Sequence, residues 1–248
     1  MQRYFIDKNQ INNNIITITG DDVHHIKTVM RMRINEKVLV CDEDKTYLCS
    51  IISISNTVEV EILETLEENV EMDINVTVAH GLVRREKMEE VVRRLVELGC
   101  YSYIPVNMTR SVVKHKEINI DRLNKIIKEA SEQSMRLDIP NVKIERNKDN
   151  LENLVGLKLL CSTQEKDKTV KNLLKNTRNY DKINIMIGPE GGFSLKEEIY
   201  FEKKGFTKVS LGSQIMRVET VPVFLASIIR YEYMEWLYEK YTRLYCWK

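Results

Sequence analysis

The feature that most constrains the fold is a regular alternation of strand-like and helix-like segments beyond residue 72. Short apolar runs typical of buried strands (INVTVAH, YSYIPV, KLLCST, INIMIG and KVSL) are separated by segments with helical periodicity. Such alternation predicts an α/β domain with a mainly parallel sheet. Ligands of these sheets bind outside the carboxyl ends of the strands, so the loops there are the first candidates for a site.

The N-terminal part of the chain has a different pattern. Between residues 15 and 63 the apolar residues come in short alternating or β-branched bursts, which predicts a small β-rich unit. A short helix beginning at Asp21 or Asp22 is expected to interrupt it. Residues 64–73 are acidic and poor in apolar side chains, which indicates a linker. We therefore predict two domains, residues 1–72 and 73–248.

Composition excludes several classes of protein. The formal net charge is only +1, so an anionic partner must meet a local basic patch. The five cysteines are odd in number and lack the spacing of zinc ligands, which predicts reduced thiols and no metal. No segment has the apolar length that a bilayer requires, and the N-terminus lacks a signal-peptide pattern. We expect a cytoplasmic protein without a membrane partner.

The run GPEGG at residues 188–192 follows a predicted buried strand. Ser194 is the expected N-cap of the next helix, and Glu197 its capping-box partner. The glycines allow positive φ and let the backbone touch a ligand directly. A tight strand-to-helix turn without a ligand is the alternative interpretation. The run matches neither the dinucleotide fingerprint nor the P-loop, so a phosphate cradle is not favoured.

A second loop at the same sheet edge reads GSQIMRVET. Gly212 leaves the strand, Ile215 and Met216 lie inside the loop, and Arg217 and Glu219 precede a helix. Two glycine-bearing loops at one edge predict a cleft. Its apolar residues could hold a flat ring with charged groups beside it.

The two loop motifs together carry a family resemblance. MIGPEGGFSLKEE with LGSQIMRVET resembles the signature of the RsmE family of 16S ribosomal RNA uridine N3-methyltransferases, in the SPOUT superfamily. Four further segments also resemble the family and occur in the family's order: HHIKTVMRMR, RREKMEEVVRRLVELG, IPVNMTRSVV and KEASEQSMRLDIP. The likeness therefore covers nearly the whole chain. It implies a PUA-like β-barrel, a C-terminal SPOUT α/β domain with a deep trefoil knot, and a homodimer that uses S-adenosylmethionine.

The resemblance also implies where the cofactor lies. The residues implied are Ser162, Thr163, Gly188, Glu190, Gly191, Gly192, Leu211, Gly212, Ile215, Met216 and Arg217. We hypothesise that Arg217 stabilises the uracil oxygen on which negative charge develops, and that Glu219 accepts the N3 proton. The alternative is that these two side chains only pair with each other to fix the loop.

The chain departs from the family inside the second motif. The family commonly has Leu-Arg-Thr-Glu-Thr-Ala where this chain reads MRVETVP. Met216 conserves the volume of Leu, whereas Val218 lacks the hydroxyl of Thr. Val221 and Pro222 replace the small residues that follow Thr220 in the family. Arg217, Glu219 and Thr220 are retained, and the activity is therefore still expected.

RNA binding is expected from local basic patches. Phosphate contacts position an RNA without reading its sequence. The candidates are Lys27, Arg31, Arg33, Arg84, Arg85, Arg110, Lys114 and Arg136. For any one of them, a solvated surface charge is the alternative.

The resemblance implies an enzyme. The reaction that it implies is S-adenosylmethionine-dependent methylation of N3 of a specific uridine in the decoding region of 16S rRNA, within the small ribosomal subunit. Two alternatives stay open: a SPOUT ribose 2′-O-methyltransferase, and an RNA-binding ribosome-assembly factor that has lost methylation.

Overall fold

The computed structural model describes residues 1–67, 71–143, 145, 148–175 and 180–233. Cys246, one of the five cysteines, lies outside these residues. The described chain forms two compact units, one of residues 1–71 with 120–140, the other of residues 72–119 with the described part of 141–248. The predicted division at residue 72 differs from this partition because residues 120–140 belong to the first unit.

The first unit is built on one six-stranded sheet. Its strands are β1 (Arg3–Phe5), β2 (Ile11–Asn12), β3 (Ile15–Ile18), β4 (Lys37–Cys41), β5 (Thr46–Ile54) and β6 (Val58–Leu66). They lie in the order β1-β4-β5-β6-β3-β2, with β1 parallel to β4 and every other pair antiparallel. Alternate side chains of β3, β4 and β6 enter the core, which also holds the fully buried Tyr4.

Two helical segments complete the first unit. The predicted short helix is confirmed as α1 (Asp21–His24), which continues directly into a π-helical turn, His25–Val29. Helix α3 (Ile120–Gln133) buries Leu123, Ile126 and Ile127 along one face. The buried guanidinium of Arg3 donates to the carbonyl oxygens of Met135 and Arg136, at 3.0 and 2.7 Å, just beyond the end of α3.

The second unit confirms the predicted α/β class. Its strands are β7 (Asn75–Gly81), β8 (Ser102–Val106), β9 (Asn141–Val142), β10 (Leu157–Cys161), β11 (Lys182–Ile187) and β12 (Thr207–Val209). All pairs are parallel, in the order β12-β10-β11-β7-β8-β9. The helices are α2 (Arg85–Glu97), α4 (Val170–Lys175), α5 (Leu195–Lys203) and α6 (Thr220–Tyr233).

Strand β11 lies inside the parallel sheet and is covered on both of its faces. Every residue from Ile183 to Ile187 is buried, as expected for a central parallel strand. The one polar residue within this buried run, Asn184, donates its side-chain amide to the carbonyl oxygen of Val155 at 2.7 Å. The carboxyl ends of β10, β11 and β12 therefore lie next to one another at one edge of the sheet.

Among the residues whose structure is described, no helix combines the length and the apolar character needed to cross a membrane.

Candidate functional site

A cavity of about 330 Å³ opens at this edge of the second unit. Its walls are the three loops that follow β10, β11 and β12, which are adjacent strands. Of the predicted cofactor residues, those that line it are Ser162, Thr163, Gly188, Glu190, Gly191, Gly192, Leu211, Gly212, Ile215 and Met216. Arg217 is exposed and is not among the lining residues, although its neighbours Met216 and Val218 are.

The first wall is the glycine-rich turn after β11. The amide of Gly192 donates to the carbonyl oxygen of Pro189 at 2.8 Å, which closes the turn. Gly192 has φ of +67°, a conformation that favours glycine, and a Cβ there would meet nothing within 4 Å. The predicted positive φ is therefore found at Gly192, whereas Gly188 and Gly191 are not in that region.

Close packing explains the other glycines of this region. A Cβ on Gly191 would lie 3.0 Å from the Cβ of Arg110. Gly81, at the end of β7, is tighter still, because a Cβ there would lie 2.4 Å from the nitrogen of Pro189. Gly81 could not be predicted from the sequence, since a lone glycine at a strand end carries no signal of what approaches it.

The turn is fixed on its far side by the start of α5. Ser194 is the N-cap, and it forms the predicted capping box with Glu197. The buried carboxylate of Glu197 accepts from the amide of Ser194 at 2.8 Å and from the amide of Thr109 at 2.7 Å. Burial alone would raise the pKa of Glu197, but these hydrogen bonds hold it below its usual value.

Glu198 is a charged residue of the cavity that the sequence analysis missed. It is only 6% exposed, and its Oε1 accepts from the hydroxyl of Ser162 at 2.7 Å. Lys208 Nζ lies 3.2 Å from Oε2 and balances the buried charge. The predicted polar residue Ser162 thus already uses its donor within the protein. Glu198 faces the cavity because of how α5 is oriented in the folded unit, and the spacing of residues in the sequence does not predict that orientation.

The second loop carries both predicted catalytic residues. Arg217 is exposed, and its carbonyl oxygen accepts from the amides of Thr220 and Val221 at the start of α6. Glu219 pairs with Lys87 of α2, whose Nζ lies 3.1 Å from Oε2, while Glu190 of the first loop is 3.9 Å from the same ammonium. Lys87 therefore supplies the ion pair that the alternative interpretation assigned to Arg217.

The charge of Glu219 follows from these neighbours. Burial would raise its pKa, but a backbone hydrogen bond and the cations of Lys87 and Arg217 bring it below its usual value. For the buried His80 near the end of β7, the effect of burial on the pKa is larger than that of the neighbouring charge. Burial lowers its pKa to about 3, against a smaller opposing effect of Glu219, so His80 is neutral at physiological pH. Its Nδ1 lies 3.0 Å from the hydroxyl of Tyr103.

The predicted RNA-binding residues fall into two groups. Lys27, Arg31 and Arg33 are exposed in the first unit, and Arg84, Arg85 and Lys114 are exposed in the second. Arg31 has φ of +52°, and Arg85 pairs with Glu89 at 2.8 Å.

Arg136 and Arg110 differ from these cations in being engaged within the protein, although Arg110 is also exposed. Arg136 is buried and forms an ion pair with Glu71, with 2.7 Å between Nη2 and Oε2. A guanidinium held in this way is not free to meet a phosphate. The guanidinium of Arg110 donates to the glycine-rich turn, and its side chain lines the cavity.

Comparisons with known proteins agree with this arrangement. A family model described as an RNA methyltransferase domain matches residues 70–230, and one described as an RNA methyltransferase PUA domain matches residues 18–63. The chain is 33% identical to ribosomal RNA small subunit methyltransferase E of Bacillus subtilis, with 94% of this chain and 97% of that protein covered.

Two solved structures share the fold over nearly their full length. Ribosomal RNA small subunit methyltransferase E from Neisseria gonorrhoeae, bound to S-adenosyl methionine, matches with a TM-score of 0.85 and 26% identity over 93% of this chain and 97% of that chain. A methyltransferase from Legionella pneumophila in complex with the same cofactor matches with a TM-score of 0.82 and 26% identity, over 92% and 96% of the two chains.

Proposed function

Since the chain belongs to the ribosomal RNA small subunit methyltransferase E family, we propose that it methylates small-subunit ribosomal RNA with S-adenosylmethionine as the methyl donor. The observation that carries this proposal is the cavity, because its walls are the three loops to which the resemblance assigns the cofactor residues. The family match gives the class of reaction, and the cavity supports this sheet edge as the place where it occurs.

The residues of the cavity fit S-adenosylmethionine. Its volume lies at the lower end of the range typical of small-molecule sites. Gly192 and Gly212 leave open space where a side chain would stand, so the backbone can approach a ligand there. Apolar side chains of Ile215 and Met216 suit a flat ring, whereas the carboxylate of Glu190 suits a cationic group. When bound, the cofactor supplies an electrophilic methyl group.

The target we propose is N3 of a uridine in the decoding region of 16S rRNA. This nitrogen carries a weakly acidic proton between two carbonyl groups, and it must lose that proton to become a nucleophile. Alignment of the reacting atoms can contribute of the order of 7 to 11 kcal/mol in the best intramolecular cases. The protein then has to stabilise the negative charge and take the proton.

Arg217 and Glu219 are the residues to which we assign these tasks. Arg217 is exposed and stands in the chain between Met216 and Val218, which line the cavity, and this suits a group that must reach an incoming base. Glu219 is ionised near neutral pH because its pKa is lowered, so it can accept a proton from the substrate, directly or through water. A lowered pKa makes it a weak base, and its ion pair with Lys87 limits its movement.

Several further features belong to the same proposal. We propose a homodimer with a knotted second domain, acting in the cytoplasm on the small ribosomal subunit. The other exposed cations of both units support RNA binding. We leave out Arg136, which is buried against Glu71, and Arg110, whose guanidinium donates to the glycine-rich turn.

The proposal is tested with purified protein, methyl-labelled S-adenosylmethionine and small ribosomal subunits from a strain that lacks the gene. The product is digested and its nucleosides are identified by mass spectrometry. We expect 3-methyluridine. A ribose-methylated nucleoside would instead show a 2′-O-methyltransferase. Binding to the subunits without any methyl transfer would indicate an assembly factor, as the replacements at Val218 and Pro222 allow.

A further inference from the structure

Arg110 lies where the segment after β8 meets the glycine-rich turn. Its Nη1 donates to the carbonyl oxygens of Gly191 and Phe193, each at 3.0 Å. These two carbonyls flank Gly192, the residue of the turn with positive φ. One cationic group therefore holds the turn on both sides of its most unusual backbone conformation.

The contact between Arg110 and the turn is also close in its apolar part. A Cβ on Gly191 would lie 3.0 Å from the Cβ and 3.5 Å from the Cδ of Arg110. The aliphatic stem thus covers Gly191 directly, and the absence of a side chain on Gly191 is what permits this approach.

The neighbouring residue fixes the same segment a second time. The amide of Thr109 donates to Oε1 of Glu197 at 2.7 Å, and Glu197 is the capping-box residue of α5. The segment with Thr109 and Arg110 is thereby tied both to the glycine-rich turn and to the first turn of α5. Arg110 also lines the cavity itself.

We propose that Arg110 is a positioning residue that sets the shape of the Gly188–Phe193 turn, and thereby the affinity for S-adenosylmethionine, instead of contacting RNA phosphate. This inference rests on the proposed function for the identity of the ligand. Its physical basis is that hydrogen bonds from a charged donor are about twice as strong as neutral ones. Without them, the turn has more conformations from which a ligand must select one, and the apparent affinity falls accordingly.

The test uses three variants of the full-length protein. Arg110→Met keeps the apolar stem and removes the donors, Arg110→Lys keeps a cation with several donors, and Lys171→Met removes an exposed cation on α4 that is not among the residues lining the cavity. Calorimetry measures the dissociation constant for S-adenosylmethionine. We expect Arg110→Met to weaken binding by about tenfold or more, from the usual strength of hydrogen bonds to charged groups. Arg110→Lys should recover part of this loss, and Lys171→Met should match the wild type.

A second measurement does not depend on the ligand. Hydrogen exchange of the cofactor-free protein reports the order of the turn, where the amide of Gly192 is bonded to Pro189. We expect faster exchange at residues 188–194 in Arg110→Met and no change in Lys171→Met. Should Arg110→Met not fold, the comparison of Arg110→Lys with the wild type gives the same readout with a smaller change.

The outcomes separate this inference from the proposed function. A phosphate contact would leave the cofactor affinity and the exchange unchanged in Arg110→Met, while subunit binding would weaken and its salt dependence would fall by about one unit of slope. That result would overturn the positioning role. A wild-type protein that does not bind S-adenosylmethionine would refute the proposed function, and the exchange experiment would still decide whether Arg110 orders the turn.

Discussion

At the scale of single residues, the exposed Arg217 carries the chemical proposal. We expect Arg217→Ala to lower the methylation rate by at least 100-fold, because an electrostatic stabiliser of developing charge typically contributes that much. The dissociation constant for S-adenosylmethionine should change little, since Arg217 does not line the cavity. Single-turnover methylation and calorimetry measure the two effects separately. A variant that methylates near the normal rate would remove Arg217 from the mechanism.

Gly81 shows how one missing side chain determines a wall of the cavity. In Gly81→Ala the new methyl group would stand 2.4 Å from the nitrogen and 2.5 Å from the Cδ of Pro189, so the turn must move. We expect S-adenosylmethionine affinity to fall at least tenfold, as measured by calorimetry.

The control for this prediction is Gly205→Ala. Gly205 has φ of +85°, and a Cβ there would meet nothing within 4 Å. This variant should lose about 1 kcal/mol of stability through its backbone alone and keep its cofactor affinity. Equal cofactor affinities in the two variants would show that the approach of Pro189 to Gly81 does not shape the cavity.

At the scale of secondary-structure elements, the start of α5 depends on one carboxylate. Glu197→Ala removes the acceptor of the amides of Ser194 and Thr109, and we expect the free energy of unfolding to fall by roughly 2 to 3 kcal/mol. Glu202→Ala is the control on the same helix, since Glu202 is 43% exposed and pairs with Lys208 at the surface. It should lose less than about 1 kcal/mol. Urea denaturation of both variants measures the difference.

The pH dependence of the Glu197 contribution has a definite sign. Burial would raise the pKa of Glu197, but its backbone hydrogen bonds lower it below the usual value. The stabilisation is therefore complete at neutral pH and is lost only as the pH falls through the folded-state pKa. A difference between Glu197→Ala and wild type that grows with rising pH above 6 would contradict this assignment.

Glu132 on α3 predicts the opposite pH dependence in the first unit. Burial, followed by the charge of Asp22, raises its pKa from 4.5 to about 7, against a smaller effect of Lys128. The folded state holds the proton more tightly than the unfolded state, so stability falls as the pH rises from about 4.5 to 7. The loss should be at most about 3 kcal/mol.

Glu132→Gln tests this point, because the amide cannot titrate. The groups around Glu132 are Asp22 of α1, Tyr4 of β1, and Lys128 and Glu129 of α3. Denaturation followed by circular dichroism at pH 5 and pH 8 should show a smaller decrease for the variant than for the wild type. The same decrease in both proteins would exclude Glu132 as its source.

At the scale of the whole molecule, a net charge of +1 means that RNA affinity must come from local cations. Arg84→Ala removes an exposed charge, and we expect weaker binding to small ribosomal subunits with a salt slope smaller by about one unit. Arg136→Ala breaks a buried ion pair instead, so it should lower stability by about 3 to 5 kcal/mol. Filter binding across a salt series distinguishes the two variants. The salt dependence of subunit binding should be smaller for Arg84→Ala, whereas the folded fraction of Arg136→Ala should have the same salt dependence as the wild type.

The sequence by itself determined the class of fold, the capping box and the loops that form the cavity. These features depend on neighbours along the chain: the run of buried residues in β11, the pairing of Ser194 with Glu197, and the glycines after each strand. Parallel strands bring their carboxyl ends to one edge, so the loops that follow them meet without further information.

Only the tertiary structure decided which side chains share an environment. It paired Glu219 with Lys87, buried Arg136 against Glu71, and placed Arg110 on the glycine-rich turn. It also assigned residues 120–140 to the first unit. The physical reason is that ion pairs, burial and close backbone approach depend on distances between residues far apart in sequence. Residue type and local spacing contain no measure of those distances.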